Sequence, residues 1–292
     1  MKKRVAAIGT FDGVHRGHRS VLKVLTEYAI EKDMEPIAIT FDRHPLALID
    51  PNRLPPTLTP LKTKEQLLRE SGAIPMVINF DEPLRSTTAR QLMKLLHDEY
   101  DVRALVVGYD NTFGSDGILL SIDDYKKLGK NEGIEVLSAD EVSGVSSSAI
   151  RKAVVAGDME KSSELLGRPY SITSKVISGN HVGNTLGFPT ANIEAPQDVA
   201  MPRQGVYAAI VKTLEDNKEY PAMVNVGIHP TVMCGEKQVI EAHILDWEGD
   251  LYDKEITVKF LKRIRDEKKF DSIDELKEQL KKDKEFVEKL NF

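Results

Sequence analysis

The apolar residues of this chain change their period part-way along, and that change limits the fold more than any other feature. Before Leu166-Gly167-Arg168-Pro169, short apolar runs alternate with segments of helical spacing. Arg4–Ile8, Ile37–Phe41, Met76–Phe80, Ala104–Gly108 and Ile134–Ser138 predict strands. Arg19–Asp33, Lys62–Ser71, Thr88–Tyr100, Ser121–Glu132 and Ser146–Ala156 predict helices, with Val21, Leu22, Leu25, Tyr28 and Ala29 on one face of the first. Strand–helix alternation of this kind implies a mostly parallel sheet covered by helices, with ligands at the carboxyl ends of its strands. Beyond the linker the pattern is all strand: Tyr170–Ser178, Val206–Thr213, Tyr220–Val226, Val239–Asp246 and Glu255–Leu261. Runs of this length separated by turns, with no helix between them, make a small antiparallel barrel or sandwich. A last helix is expected from Ser272, whose capping box closes on Glu275, through Leu276, Leu280, Phe286 and Leu290.

The expected organisation is therefore an α/β domain over residues 1–167 and an all-β domain over 168–292, and 292 residues exceed what one core usually holds. The formal charge of -6, with both signs interspersed, argues against a general nucleic-acid binder. Cys234 is the only cysteine, which excludes an internal disulfide and a cysteine-rich zinc site. The apolar stretch Val5–Ile8 is too short for a signal h-region or a membrane span, so a cytoplasmic protein is expected. No obligate protein partner is evident from the sequence.

The strongest local signal is Gly9-Thr10-Phe11-Asp12-Gly13-Val14-His15-Arg16-Gly17-His18, between the first strand and the first helix. Gly13 and Gly17 permit a tight turn and close approach of a ligand to the backbone. His15 and His18 flank the helix start, where imidazoles suit a phosphate whose negative charge grows during displacement. Taken alone, the segment reads equally as a glycine loop with surface histidines. Its place directly after the first strand favours the functional reading. Ser146, Ser147 and Ser148 open a helix, with Arg151 one turn on. Hydroxyls and free amides there bind phosphate, although alone they are ordinary capping serines with a solvated arginine.

In the second half, Gly183-Asn184-Thr185-Leu186-Gly187-Phe188-Pro189-Thr190-Ala191-Asn192 lacks the Gly-Lys-Ser/Thr ending of a Walker A loop. Its glycines bring amides to phosphates, while the Thr190 hydroxyl and Asn192 amide oxygen suit Mg²⁺ held by ATP. A plain surface loop is the alternative. In Ile240–Asp246, Glu241, His243 and Leu245 share one strand face. A carboxylate there can take a proton from a substrate hydroxyl, or simply face solvent.

GTFDGVHRGH with VSSSAIR resembles the nucleotidyltransferase half of bacterial bifunctional riboflavin kinase/FAD synthetases. Phe41-Asp42-Arg43-His44-Pro45 and Gly108–Gly114 fall where that family has its FxxHP and GxDFxFG segments. GNTLGFPTAN, Gly205–Ala208, Asn225-Val226-Gly227 with Pro230-Thr231, and Arg265–Phe270 resemble its riboflavin kinase module in order and spacing. The resemblance covers almost the whole chain. It implies a Rossmann-like nucleotidyltransferase domain followed by a six-stranded Greek-key barrel with a C-terminal helix. The implied reactions are phosphorylation of riboflavin to FMN by ATP, then adenylylation of FMN by a second ATP to FAD and pyrophosphate, both with Mg²⁺.

By the same resemblance, His15 and His18 stabilise the α-phosphate. Gly9, Phe11, Asp12, Gly17, Asp110, Ser146, Ser147, Ser148 and Arg151 surround that nucleotide, and His44 and Asn111 lie near the flavin. In the barrel, Gly183, Gly187 and Pro189 approach ATP, and Thr190 and Asn192 hold Mg²⁺. Glu241 is the general base on the ribityl hydroxyl, and Arg265 lies near the flavin. Four positions depart from the pattern. Asn111 stands for an aromatic, Ser115-Asp116 for a basic loop, Asn184 for an arginine and Asp253 for a glycine. They leave two rivals open: a kinase whose first domain has lost adenylylation, and a flavin or nucleotide sensor. The retained reactive groups argue against the sensor.

Overall fold

The computed structural model describes residues 2–109, 111–178, 187–213, 218–231 and 235–290, with the backbone alone at 229–231 and 235–237. The chain folds as two compact units, Met1–Ser147 and Ser148–Phe292.

In the first unit β1 (Arg4–Ile8), β2 (Glu35–Phe41), β3 (Ile74–Ile78), β4 (Val102–Val107) and β5 (Glu135–Ser138) form a parallel sheet in the order β3-β2-β1-β4-β5. The connecting helices are α1 (Arg16–Lys32), α2 (Leu46–Ile49), α3 (Leu61–Glu70), α4 (Glu82–Ser86), α5 (Ala89–Tyr100) and α6 (Ile122–Asn131). Successive residues of β1 serve opposite faces: Ala6 and Ile8 pack with Leu92, Met93 and Leu96 of α5, while Val5 and Ala7 pack with Leu22 and Leu25 of α1. The chain runs outward from β1 through β2 to β3, then returns to β4 on the other side of β1. The strand order therefore reverses between β1 and β4, where open α/β sheets bind ligands. The segments that leave these two strands are Gly9–His15 and Gly108–Asn111.

The second unit opens with α7 (Ser147–Ala156) and α8 (Met159–Leu166). It continues with β6 (Tyr170–Ile177), β7 (Ala191–Ile193), β8 (Gly205–Thr213), β9 (Glu219–Thr231), β10 (Gly235–Ile244), β11 (Glu255–Arg265) and α9 (Ile273–Glu288). The six strands close into an antiparallel barrel in the order β10-β7-β6-β11-β8-β9. Residues Val206–Ala209 of β8 are buried on both faces because one faces the barrel interior and α9 covers the other. Ala208, Met223, Leu245 and Val287 form the core under that helix.

Several differences from the sequence pattern have physical reasons. By contact the chain divides between Ser147 and Ser148, in the first turn of α7, and α8 packs on β6 and β11. Helix α8 lies in a stretch where the sequence pattern predicts no element. Its Asp158 cap accepts from the Lys161 amide, Gly167 closes it with positive φ, and Met159, Ser162, Leu165 and Leu166 are buried. Strand β3 starts two residues earlier than expected and contains Pro75, which an edge strand tolerates. Strand β11 runs on to Arg265 through two register shifts, which break the alternation that ended the expected strand at Leu261. At α9 the Ser272 hydroxyl caps the Glu275 amide, but the Glu275 carboxylate reaches Asp271 N instead of Ser272 N.

Candidate active sites

The loop after β1 is held from several directions. Phe11 and Val14 are both buried with positive φ, 48° and 39°, a conformation costly for bulky residues unless the surroundings impose it. The buried Asp12 carboxylate accepts from the Leu58 and Thr59 amides at 2.8 and 3.2 Å. Ser147 Oγ donates to Asp12 O at 2.9 Å, and Thr40 Oγ1 donates to Thr10 O at 3.1 Å. Lys64, almost fully buried, donates from Nζ to Thr10 O at 3.1 Å and to Phe41 O at 3.4 Å. Burial pushes its ammonium below the usual lysine range, and the charge of Asp12 opposes that shift.

His15 is the N-cap of α1, and its Nδ1 accepts from His18 N at 3.3 Å. The lone pair of Nδ1 is thus engaged, so the neutral ring carries its proton on Nε2. The two imidazoles stack with centroids 3.6 Å apart, and Phe11 meets His18 edge-on at 5.3 Å. A Cβ at Gly17 would sit 3.2 Å from the His15 ring, so glycine leaves room for this stack. Both histidines line a cavity of about 310 Å³ with Gly9, Phe11, Gly17, Ser146 and Ser147.

A second cavity of about 680 Å³ lies on the other side of Ile8, Gly9, Thr10 and Asn111, which line both. Its walls combine the apolar side chains Phe41, Ile49, Phe80, Leu84, Leu92 and Phe113 with Glu82, Arg85 and Ser86. Asn111 Nδ2 donates to Ile8 O, which ties the shared wall to the end of β1. The altered loop is anchored locally: Ser115 N and Oγ donate to Thr87 O and Ser86 O, and Asp116 Oδ1 accepts from Ala89 N at 2.7 Å.

The sequence-expected residues of this unit thus separate. His15, His18, Gly9, Phe11, Gly17, Ser146, Ser147 and Asn111 meet around the cavities. Asp12 is bound to the 58–59 backbone, and His44 Nδ1 accepts from Leu46 N at 3.1 Å, shaping the start of α2 beside the cavity residue Pro45. Ser148 and Arg151 belong to the second unit, where Arg151 Nη1 donates to Ser148 Oγ at 3.5 Å. Asp110 lies outside the described residues. Sequence reasoning missed Lys64, whose only signal is a lysine on the apolar face of α3 beside Leu67 and Leu68.

The barrel also carries two adjoining cavities. One, about 400 Å³, is lined by Pro189, Thr190, Ala191 and Asn192 with Trp247 and Tyr252. The other, about 360 Å³, is lined by Phe188, Thr190, Glu241, His243 and Arg265, together with Leu276 and Leu280 of α9. Thr190 faces both. Glu241 of β10 pairs with Asn192 of β7 on one side and Asn225 of β9 on the other, so these polar groups meet where the cavities join. His243 Nδ1 lies 2.8 Å from Pro189 O, and burial pushes this imidazole below the usual histidine range. Gly183 lies outside the described residues, and Gly187 is exposed with positive φ just before this corner.

Arg265 borders the second cavity, but its guanidinium is turned to α9, where Nη2 reaches the buried Asp283 at 2.7 Å. Asn225 Nδ2 donates to Glu267 Oε1 at 3.2 Å, which draws the segment after β11 over the cavity. Thr190 and Asn192 offer neutral oxygens, and no cluster of three acidic, histidine or cysteine ligands occurs among the described residues. That donor set suits a magnesium ion held chiefly by phosphate oxygens and water, and does not build a metal cage of its own.

Comparison with known proteins assigns each half. The family model for FAD synthetase matches residues 1–152 and that for riboflavin kinase matches residues 166–291. The bifunctional riboflavin kinase/FMN adenylyltransferase of Escherichia coli (strain K12) is 36% identical over 96% of this chain and 90% of its own length. The protein of the same name from Bacillus subtilis (strain 168) is 35% identical over 97% and 91%. A solved structure described as a macrolide-efflux protein from Streptococcus pneumoniae superposes with a TM-score of 0.89 at 30% identity, covering 99% of this chain and 95% of that one. Among the described residues no helix is long and apolar enough to cross a membrane.

Proposed function

The chain belongs to the bifunctional riboflavin kinase/FMN adenylyltransferase family, and we propose that its two pairs of cavities divide the family's two reactions between them. It converts riboflavin to FMN and FMN to FAD with ATP. A kinase-only chain is not favoured, since both halves match their family models and relatives named for both activities cover nearly the whole length. One observation carries the division of labour: each unit has two cavities that share lining residues, the arrangement a two-substrate transfer requires.

In the barrel, ATP occupies the cavity of Pro189–Asn192 and riboflavin the one beside Glu241, under Leu276 and Leu280. Glu241 takes the proton of the ribityl hydroxyl as its oxygen attacks the γ-phosphorus, and ADP leaves. Thr190 and Asn192 would help hold a magnesium ion, which would supply neutralisation of the phosphate charge.

In the first unit, the larger cavity takes the flavin ring of FMN, against Phe41, Phe80 and Phe113, and the histidine cavity takes ATP. The FMN phosphate attacks the α-phosphorus of ATP and pyrophosphate leaves. His15, donating from Nε2, and His18 stabilise the charge that builds on the α-phosphate oxygens, with Ser146 and Ser147 nearby. Both reactions are placed in the cytoplasm, where ATP is available.

The test is a crossed pair of variants in the full chain. Glu241→Gln is expected to lower FMN formation about 10²–10⁴-fold, with adenylylation of supplied FMN unchanged. His18→Ala is expected to lower FAD formation about 10²–10³-fold and to leave FMN formation intact. Chromatography of flavins after incubation with Mg-ATP reads both. A variant that impairs both reactions equally would contradict the assignment.

A further inference from the structure

The kinase assignment leaves one side chain of its flavin cavity without a role. His243 is two residues beyond Glu241 on β10, lines the same cavity, and touches neither phosphate nor metal in the proposed chemistry. Its contacts run to the Phe188–Thr190 corner. The imidazole Nδ1 lies 2.8 Å from the Pro189 carbonyl, and the Phe188 ring meets it edge-on with centroids 5.2 Å apart.

Strand pairing shows why a side chain is needed there. β7 pairs with β10 from Ile193 opposite Ile240 to Ala191 opposite Ala242, and that pairing ends there. Thr190 would come next, opposite His243, and beyond it Pro189 has no N–H with which to extend the ladder. The His243 side chain reaches across to the Pro189 carbonyl where the ladder has ended. A carbonyl oxygen can only accept, so Nδ1 carries the proton of this contact. Burial favours the neutral ring, and the charge of Lys284 acts in the same direction.

We propose that His243 is a positioning residue for phosphoryl transfer: by donating Nδ1–H to the Pro189 carbonyl it fixes the corner that carries Thr190, the residue shared by the two cavities. Thr190 then keeps its hydroxyl on the nucleotide side while its other flank bounds the flavin side. The inference rests on the assignment of Thr190 and Asn192 to Mg-ATP.

Three variants of the full chain separate this role from its rivals. His243→Asn keeps an amide N–H near the position of Nδ1. His243→Gln moves the amide toward the position of Nε2, and His243→Leu keeps volume without a donor. Loss of one such hydrogen bond corresponds to roughly 3–10-fold. Leu and Gln are therefore expected to raise the KM for Mg-ATP by about that factor. The KM for riboflavin should change little, and Asn should recover most of the loss. Thermal melting reports whether the barrel of each variant is folded, and adenylylation of supplied FMN shows that the first unit is unaffected. If Leu is unfolded, the Asn and Gln pair decides alone. An unchanged KM for Mg-ATP in Gln, rescue by Gln but not Asn, or an effect confined to riboflavin would each overturn the proposal. A parent chain that makes no FMN would instead overturn the kinase assignment beneath it.

Discussion

Replacing Arg265 by methionine isolates a carboxylate in the protein interior. Asp283 is 2% exposed. Arg265 Nε approaches its two oxygens at 3.2 and 3.0 Å, Nη2 reaches one at 2.7 Å, and Gln279 Nε2 donates at 2.9 Å. Breaking a buried pair from one side costs about 3–5 kcal/mol, because the remaining charge has neither partner nor solvent. The Gln279 bond survives in Arg265→Met, so the expected cost is about 3 kcal/mol. Asp283→Asn is not its mirror image. It leaves a guanidinium that is 21% exposed and still donates from Nη1 to Asp266 O at 3.1 Å, so about 1–2 kcal/mol is expected. With both charges removed, the double variant should be no less stable than Arg265→Met alone, a coupling of about 1–2 kcal/mol.

The tie joins the end of β11 to α9, and Leu276, Leu280 and Asp283 of that helix line the cavity proposed above for riboflavin. Loss of about 3 kcal/mol should raise local opening of α9 on the order of a hundredfold. Hydrogen exchange across Ile273–Glu288 reads that opening, urea unfolding of the four proteins reads the cycle, and quenching of riboflavin fluorescence reads binding. Equal costs for the two single variants, adding in the double to within about 0.5 kcal/mol, would refute the argument that a buried charge pair holds the helix.

His15→Ala should lose FAD formation as His18→Ala does and also lose the α1 cap, about 1 kcal/mol, seen in the melting of the first unit. His15→Asn should regain most of that stability without regaining turnover. A fragment of residues 148–292 should fold and phosphorylate riboflavin, whereas 168–292 should melt lower, since it lacks the helix whose Met159, Leu165 and Leu166 are buried in the unit. Burial first, and then the Glu135 carboxylate 2.7 Å away, push the Tyr28 hydroxyl up to about 12. A raised folded value gives stability that is present below the unfolded value of about 10 and is lost as pH rises toward 12. The advantage of the parent over Tyr28→Phe in urea should therefore disappear between those limits.

Much of the fold was legible because burial imposes period. The five strands of the sheet and the long helices follow from alternation and 3.6-residue spacing. Ser272, Thr88 and Ser121 mark helix starts by side chains that cap in place. Three-residue β7 was not legible, since Ala191–Ile193 is too short to show a period and owes its pairing to β6 and β10. The histidine pair was legible as chemistry, but its geometry was not. The stack depends on glycine at 17 and on positive φ at Phe11 and Val14, conformations the sequence does not advertise. The side-chain partners of Asp12 and Arg265 were not legible, because a charged residue in a motif reads the same whether it faces a substrate, a backbone amide or another side chain. The structure turns the first to the 58–59 amides and the second to Asp283. Asp253, which stands for a glycine in the family pattern, takes the left-handed conformation itself with φ 68°, and its carboxylate pairs with Lys175 at 2.6 Å.

The departures at 111–116 acquire a physical meaning from the shared wall. Asn111 gives its amide to Ile8 O, a bond to the strand end that a phenylalanine side chain has no donor to make. Asp116 accepts the first amide of α5 from Ala89, a role for which a basic residue lacks the acceptor. The loop is thus bound to its own scaffold at both altered places; Asn111 borders both cavities and Ser115 the larger one, while the histidines border the smaller. On the division proposed above, a side chain in that wall meets the flavin equally before and during transfer, so its identity bears on KM for FMN. His15 and His18 meet charge that exists only in the transition state and bear on kcat. The chain thus departs from its relatives at Asn111 and Asp116 while it keeps His15 and His18, the groups proposed above to act on the phosphate.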